Sequence, residues 1–165
     1  MINILKPNES KTSIYDIDIT NLQRMGYKHI LIDVDNTITP WNSKEISDRL
    51  RLWVGECRAL GMSICLFTNN YSQRVEDMAS VLNIQTISKG GKPFKFAFNR
   101  ALAYIGGDPQ NTVMIGDQVF TDILGGNNAG LYTILVDPIT GKEFWGTKLN
   151  RFLERLLFGK NRYKL

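Results

Sequence analysis

The chain has 165 residues, 43% of them hydrophobic and 22% charged, which are the proportions of an ordinary folded domain rather than a disordered or fibrous chain. No apolar run approaches the roughly 20 residues needed to cross a bilayer, and MINILKPNESK has no basic region followed by a long apolar stretch, so a cytoplasmic location is expected. The formal charge of +4 is too small to demand an anionic partner, and no nucleic acid is expected.

Residues 1–28 read as an irregular N-terminal extension, with one short helix predicted from Thr20 to Met25 and stopped by Gly26. From residue 30, short apolar runs alternate with longer amphipathic segments. The runs are Ile30 to Val34, Ser63 to Phe67, Ile84 to Ile87, Thr112 to Ile115 and Leu131 to Val136, with helical spacing over about 45–60, 71–82, 93–105 and 119–128. This alternation predicts an α/β domain, a three-layer α/β/α Rossmann-like fold with a central parallel sheet, whose ligands bind beyond the carboxyl ends of the strands. Cys57 and Cys65 lie in apolar patterns without metal-like spacing and read as reduced, buried thiols. No repeat or linker marks a second domain, so residues 1–165 are read as one.

The polar residues that close each run are Asp33-Val34-Asp35-Asn36-Thr37, Thr68-Asn69-Asn70, Lys89-Gly90-Gly91-Lys92-Pro93 and Gly116-Asp117-Gln118, with Asp122 close behind. Carboxylates, hydroxyls and lysine therefore converge on one sheet edge. Asp33, Asp35 and Asp117 are hard oxygen ligands of the kind that hold magnesium. An aspartate is already ionised at neutral pH, so Asp33 can attack phosphorus without a separate base, while Asp35 can protonate the leaving alcohol and later deprotonate water. Thr68, Asn69 and Lys92 suit the phosphoryl oxygens, and Thr37 joins them as a substrate-binding residue.

Together, DVDNT, FTN, the Lys-Pro pair and GDQVFTD resemble the four motifs of the haloacid dehalogenase superfamily, in order across residues 30 to 136. The LKP, DNTITPW, LGGNNAG and NRFLE segments are similar to the YqeG-like branch of subfamily IIIA, related to mitochondrial phosphatidylglycerophosphate phosphatases. That resemblance implies a magnesium-dependent phosphomonoester hydrolase in which Asp33 is phosphorylated, Asp35 does acid/base work and offers its carbonyl to the metal, and Thr68 binds phosphate. It also implies that Lys92 stabilises charge, Asp117 binds the metal and Asp122 stands behind it, with phosphatidylglycerophosphate as the leading substrate. The intervals between these motifs leave no room for a large cap domain, which suits a bulky or surface-presented phosphate.

Competing readings are weaker. A calcium loop would need Gly at Ile38 and Glu at Lys44, and a phosphate-binding loop fails because Pro93 follows Lys92. A signalling receiver domain would carry a carboxylate near Ile84 to Ser88, and none is present. A phosphatase for a soluble sugar phosphate or nucleotide stays open, as does a non-catalytic phosphate-responsive binding protein. Trp41 suits either the site entrance or the core, Gly106-Gly107 and Gly125-Gly126 read as helix stops, and His29 is given no role. Finally, Leu149, Phe152, Leu153, Leu156 and Leu157 follow helical spacing beside Lys148, Arg151 and Arg155, so 146–165 is read as a basic amphipathic helix and tail. It either docks on the sheet or meets a protein partner or membrane surface, and a homo-oligomer is compatible with the open site.

Overall fold

The computed structural model describes residues 3–140; the helix expected over 146–165 lies outside the described residues. Six strands form one parallel sheet: β1 (Glu9–Lys11), β2 (His29–Ile32), β3 (Ser63–Phe67), β4 (Gln85–Ile87), β5 (Thr112–Gly116) and β6 (Tyr132–Val136), in the order β1-β6-β5-β2-β3-β4. The helices are α1 (Ile19–Arg24), α2 (Asp48–Ala59), α3 (Gln73–Leu82), α4 (Lys95–Ile105) and α5 (Leu124–Ala129). All five predicted strands occur. Sequence reading missed β1, whose three residues Glu9-Ser10-Lys11 are polar and only half-buried because β1 is an edge strand pairing with β6.

Period-two alternation explains the layers. Ile30, Ile32, Ile64, Leu66, Val113, Ile115, Ile134 and Val136 face one core with the apolar sides of α1, α2 and α3. Leu31, Cys65, Phe67 and Met114 face the opposite core, with Phe98, Ala101 and Leu102 of α4 and Ala129 of α5. Cys57 and Cys65 thus sit in different cores and are both free, as expected.

Local signals set the helix limits. Ser47 Oγ accepts from Leu50 N–H at 3.1 Å to start α2, and Asp18 Oδ1 accepts from Asn21 N–H at 2.8 Å to start α1. Gly106 ends α4 at φ 69°, as the sequence suggested, but Gly125 and Gly126 lie inside α5, which ends at Gly130. Their lack of a side chain serves packing instead: a Cβ on Gly125 would enter the Phe98 ring, and one on Gly126 would meet Thr133 Cγ2 at 2.6 Å. The chain runs from β2 outward through β3 and β4, then returns to β5 on the other side of β2. The crevice between β2 and β5 is therefore the topological switch point, where ligands of such sheets bind. Asp33 follows one of these strands and Asp117 the other.

Candidate active site

Asp33 leaves β2 with its N–H donating to Ile115 O of β5 at 3.0 Å, which fixes the carboxylate at the crevice. The next residues fold back tightly, with the N–H groups of Thr37 and Ile38 donating to Val34 O at 3.2 and 3.1 Å and Asn36 at φ 62°. This turn separates the two aspartates of the loop. Asp33 faces the crevice, whereas Asp35 faces α3.

Oxygens of Asp33, Asp117 and Asp122 all lie within 4.8 Å of one another, and all three residues are buried. Lys92 enters this group from the loop after β4, its Nζ donating to Asp33 Oδ1 and Asp122 Oδ1 at 2.7 Å each. Asp122 Oδ2 accepts from Gln118 N–H at 3.1 Å, so both of its oxygens are occupied by the protein. Asp122 comes from a single π-helical turn, Val119–Ile123, which precedes α5 and turns the carboxylate back beneath β5. A Cβ at Gly116 would overlap the Asp122 carboxylate, which is why glycine ends β5. Thr37 Oγ1 donates to Asp117 Oδ1 at 3.1 Å.

The charges do not balance. Three buried carboxylates face one buried ammonium, a formal surplus of two negative charges when all are ionised. Burial outweighs the Lys92 ammonium and, with Asp122 and Asp117 nearby, pushes the Asp33 carboxyl up to about 8. For Lys92, burial acts downward, but Asp122 and then Asp33 outweigh it and hold the ammonium above the ordinary lysine range. The two directions agree physically: the ammonium stays charged, and the carboxylates cannot all be charged beside it without another cation. Hard oxygen donors with surplus negative charge fit a divalent ion such as magnesium. Asp33 and Asp117 are placed to hold it, with Asp122 fastened beside them.

Asp35 is not part of the carboxylate group. Arg74 Nη2, from the first turn of α3, donates to Asp35 Oδ1 and Oδ2 at 2.8 and 2.9 Å, Asn70 Nδ2 donates to Oδ2 at 2.9 Å, and Asn42 N–H donates to Oδ1 at 2.8 Å. Arg74 Nη1 also donates to Ser43 O at 2.8 Å, tying α3 to the loop after the nucleophile. Sequence reading missed Arg74. On a helix following a polar loop it looks like a surface cation, yet it is 8% exposed, and only its burial beside a carboxylate reveals the role.

Thr68 is buried at the end of β3, its carbonyl accepting from Gly90 N–H at 2.7 Å. Asn69, expected to touch substrate, has its side chain engaged elsewhere. Its Oδ1 accepts from Gly91 N–H and Lys92 N–H at 3.0 and 2.8 Å, and its Nδ2 donates to Lys92 O at 2.9 Å. It is the staple that holds the lysine loop to β3. Lys89 and Lys95 are exposed, so of the lysines in this loop only Lys92 reaches the carboxylates. Trp41 is half-buried and belongs to neither core, and His29 Nδ1 pairs with Ser63 Oγ at 2.7 Å, at the start of β2 and far along the strand from Asp33.

Comparison with known proteins gives a consistent picture. The HAD-hydrolase-like family model matches residues 90–143. A probable phosphatase, YqeG of Bacillus subtilis, is 36% identical over 149 residues, covering 90% of this chain and 87% of that protein. Phosphatidylglycerophosphate phosphatase 1 of Arabidopsis thaliana is 27% identical over 83% of this chain but only 42% of its own length, so this chain spans less than half of the plant enzyme. Among solved structures, the cobalt-bound deoxy-D-mannose-octulosonate 8-phosphate phosphatase of Haemophilus influenzae superposes with a TM-score of 0.52 at 16% identity, over 82% of this chain and 89% of that one.

Proposed function

The chain belongs to the family of the Bacillus subtilis YqeG phosphatase within the haloacid-dehalogenase-like hydrolases, and from that membership we propose that it hydrolyses phosphomonoesters through a phosphoaspartyl intermediate on Asp33. The observation that carries the reading is the buried trio of Asp33, Asp117 and Asp122 around Lys92, which is one positive charge short of what a phosphate dianion requires. A divalent cation, magnesium in this proposal, would be held by Asp33, Asp117 and the main-chain carbonyl of Asp35. When bound it would neutralise carboxylate and phosphate charge together.

The residues of the chain then divide the work. Asp33 attacks phosphorus and expels the alcohol. Lys92, beside it, meets the charge that develops on the phosphoryl oxygens. Thr68, at the end of the neighbouring strand, binds a phosphoryl oxygen, and Thr37 steadies Asp117 while facing the substrate. Asp35 supplies the proton to the leaving oxygen and removes one from the water that cleaves the aspartyl phosphate. Arg74 and Asn70 set the orientation from which Asp35 acts. Asn69 acts at one remove, by holding the Lys92 loop.

The leading substrate is phosphatidylglycerophosphate. Two features support it: the likeness to the Arabidopsis enzyme over 83% of this chain, and a site over which the described residues insert no domain, only α2 between β2 and β3 and α3 between β3 and β4. A small soluble phosphoester is the second reading, favoured by shorter matches such as 38% identity over 71 residues to the 5'-nucleotidase YutF of Bacillus subtilis. Phosphate release from phosphatidylglycerophosphate in mixed micelles, run beside soluble esters with and without magnesium, separates them. Preference for the micellar lipid supports the first reading and preference for a soluble ester the second. Cation binding without turnover on either would leave a binding protein.

A further inference from the structure

The loops that build the site also carry an unusual amount of exposed apolar surface. Tyr71 is 64% exposed, Phe94 61%, Phe96 65% and Ile139 49%. Nine large apolar side chains are this exposed among the described residues, and these four are the ones that follow a strand end directly or begin the next helix. The rim is continuous in three ways. The Asn69 staple joins the Tyr71 loop to the loop of Lys92 and Phe94. Lys89 Nζ lies 4.7 Å from the centre of the Tyr71 ring, and the Phe94 and Phe96 rings stack at 5.7 Å. Opposite, Ile139 N–H donates to Asn36 O of the nucleophile loop at 3.0 Å.

The charge of the rim selects its partner. Residues 88–100 contain Lys89, Lys92, Lys95 and Arg100 and no carboxylate; Lys92 is buried at the site, which leaves Lys89, Lys95 and Arg100 at the surface. Separate aromatic tips interleaved with cations lack the contiguous apolar area of a protein–protein patch, but suit a surface into which rings can sink while lysines remain among headgroups. We infer that the rim formed by Tyr71, Phe94, Phe96 and Ile139, with Lys89 and Lys95, docks the mouth of the site on an anionic lipid surface. This inference rests on the phosphatase reading of the site and deepens it: docking would bring a phosphomonoester on a lipid headgroup to Asp33 without the lipid leaving the bilayer.

The test is sedimentation of the full chain with vesicles of phosphatidylcholine alone or with phosphatidylglycerol, for wild type and the double variant Phe94→Ser, Phe96→Ser. Neither phenylalanine belongs to the catalytic machinery, so turnover of a soluble phosphoester by the variant should match wild type; loss of that turnover in both proteins would count against the phosphatase reading and not against docking. The expected result is binding that needs the anionic lipid, weakens with salt, and falls at least about tenfold in the double variant. Absence of wild-type binding, or equal binding by the variant, overturns the proposal. So does a wild-type dimer that the substitutions dissociate while vesicle binding is absent, because the rim would then be a contact between copies of the chain.

Discussion

Replacing Lys92 by methionine removes the single ammonium shared by two buried carboxylates while preserving most of its volume. The side chain is 2% exposed and makes 2.7 Å contacts to both Asp33 and Asp122. Removing one partner of a buried ion pair costs about 3–5 kcal/mol, because the charge left behind is unpaired. For a chain of this size, each kcal/mol shifts the melting temperature by about 2–4 °C, so a fall of roughly 10 °C is expected without divalent cation at pH 8.5. The pH dependence follows from Asp33. Its folded pKa is raised to about 8 from 3.8, so its stabilising contribution is present below the unfolded value and is lost as pH rises through about 8. Without Lys92 that carboxyl rises further, and the variant loses stability more steeply than wild type over the same window. Thermal unfolding in chelator at pH 5.5 and 8.5 measures this, with a difference between the proteins that widens at the higher pH. A difference of the same size at both values, or none at either, would refute the charge argument.

Three further outcomes are expected. Arg74→Met should lower kcat/KM about a hundredfold by loosening Asp35, with Arg74→Lys recovering part of the loss; a fully active Arg74→Met would show that this ion pair does not matter to turnover. Gly116→Ala should displace the Asp122 carboxylate, cost about 1–3 kcal/mol in a chemical melt and weaken magnesium binding in calorimetry, whereas unchanged affinity would contradict the tight fit. Burial pushes the Cys57 and Cys65 thiols up to about 12, so a thiol reagent at pH 8 should label neither until the protein unfolds. Rapid labelling of the native chain would disprove that burial.

The sheet was legible because its strands are short apolar runs with a polar residue at each carboxyl end, and a parallel sheet buried on both faces demands that pattern. The aspartates were legible for the same reason, since Asp33 and Asp117 sit at the two strand ends that flank the switch point. What escaped sequence reading depends on contacts distant along the chain. Arg74 is 39 residues from Asp35, and nothing in its neighbours marks it as buried. Asn69 carries a type of side chain that could serve substrate or backbone, and its three bonds to residues 91 and 92 decide for the backbone. Gly125 and Gly126 looked like helix ends because glycine commonly stops helices, but here the approach of Phe98 and Thr133 governs them. The edge strand β1 escaped because three polar residues carry no alternation.

The central claim is that Asp33 carries the phosphoryl group. The most direct measurement is to mix the protein with a turned-over phosphoester and magnesium, quench in acid, reduce acyl phosphate with borohydride and locate the resulting homoserine by peptide mass spectrometry. Homoserine at position 33, dependent on substrate and absent from Asp33→Asn, is the expected result. Modification at Asp35 instead, or turnover that persists in Asp33→Asn with no trapped acyl phosphate, would contradict the mechanism.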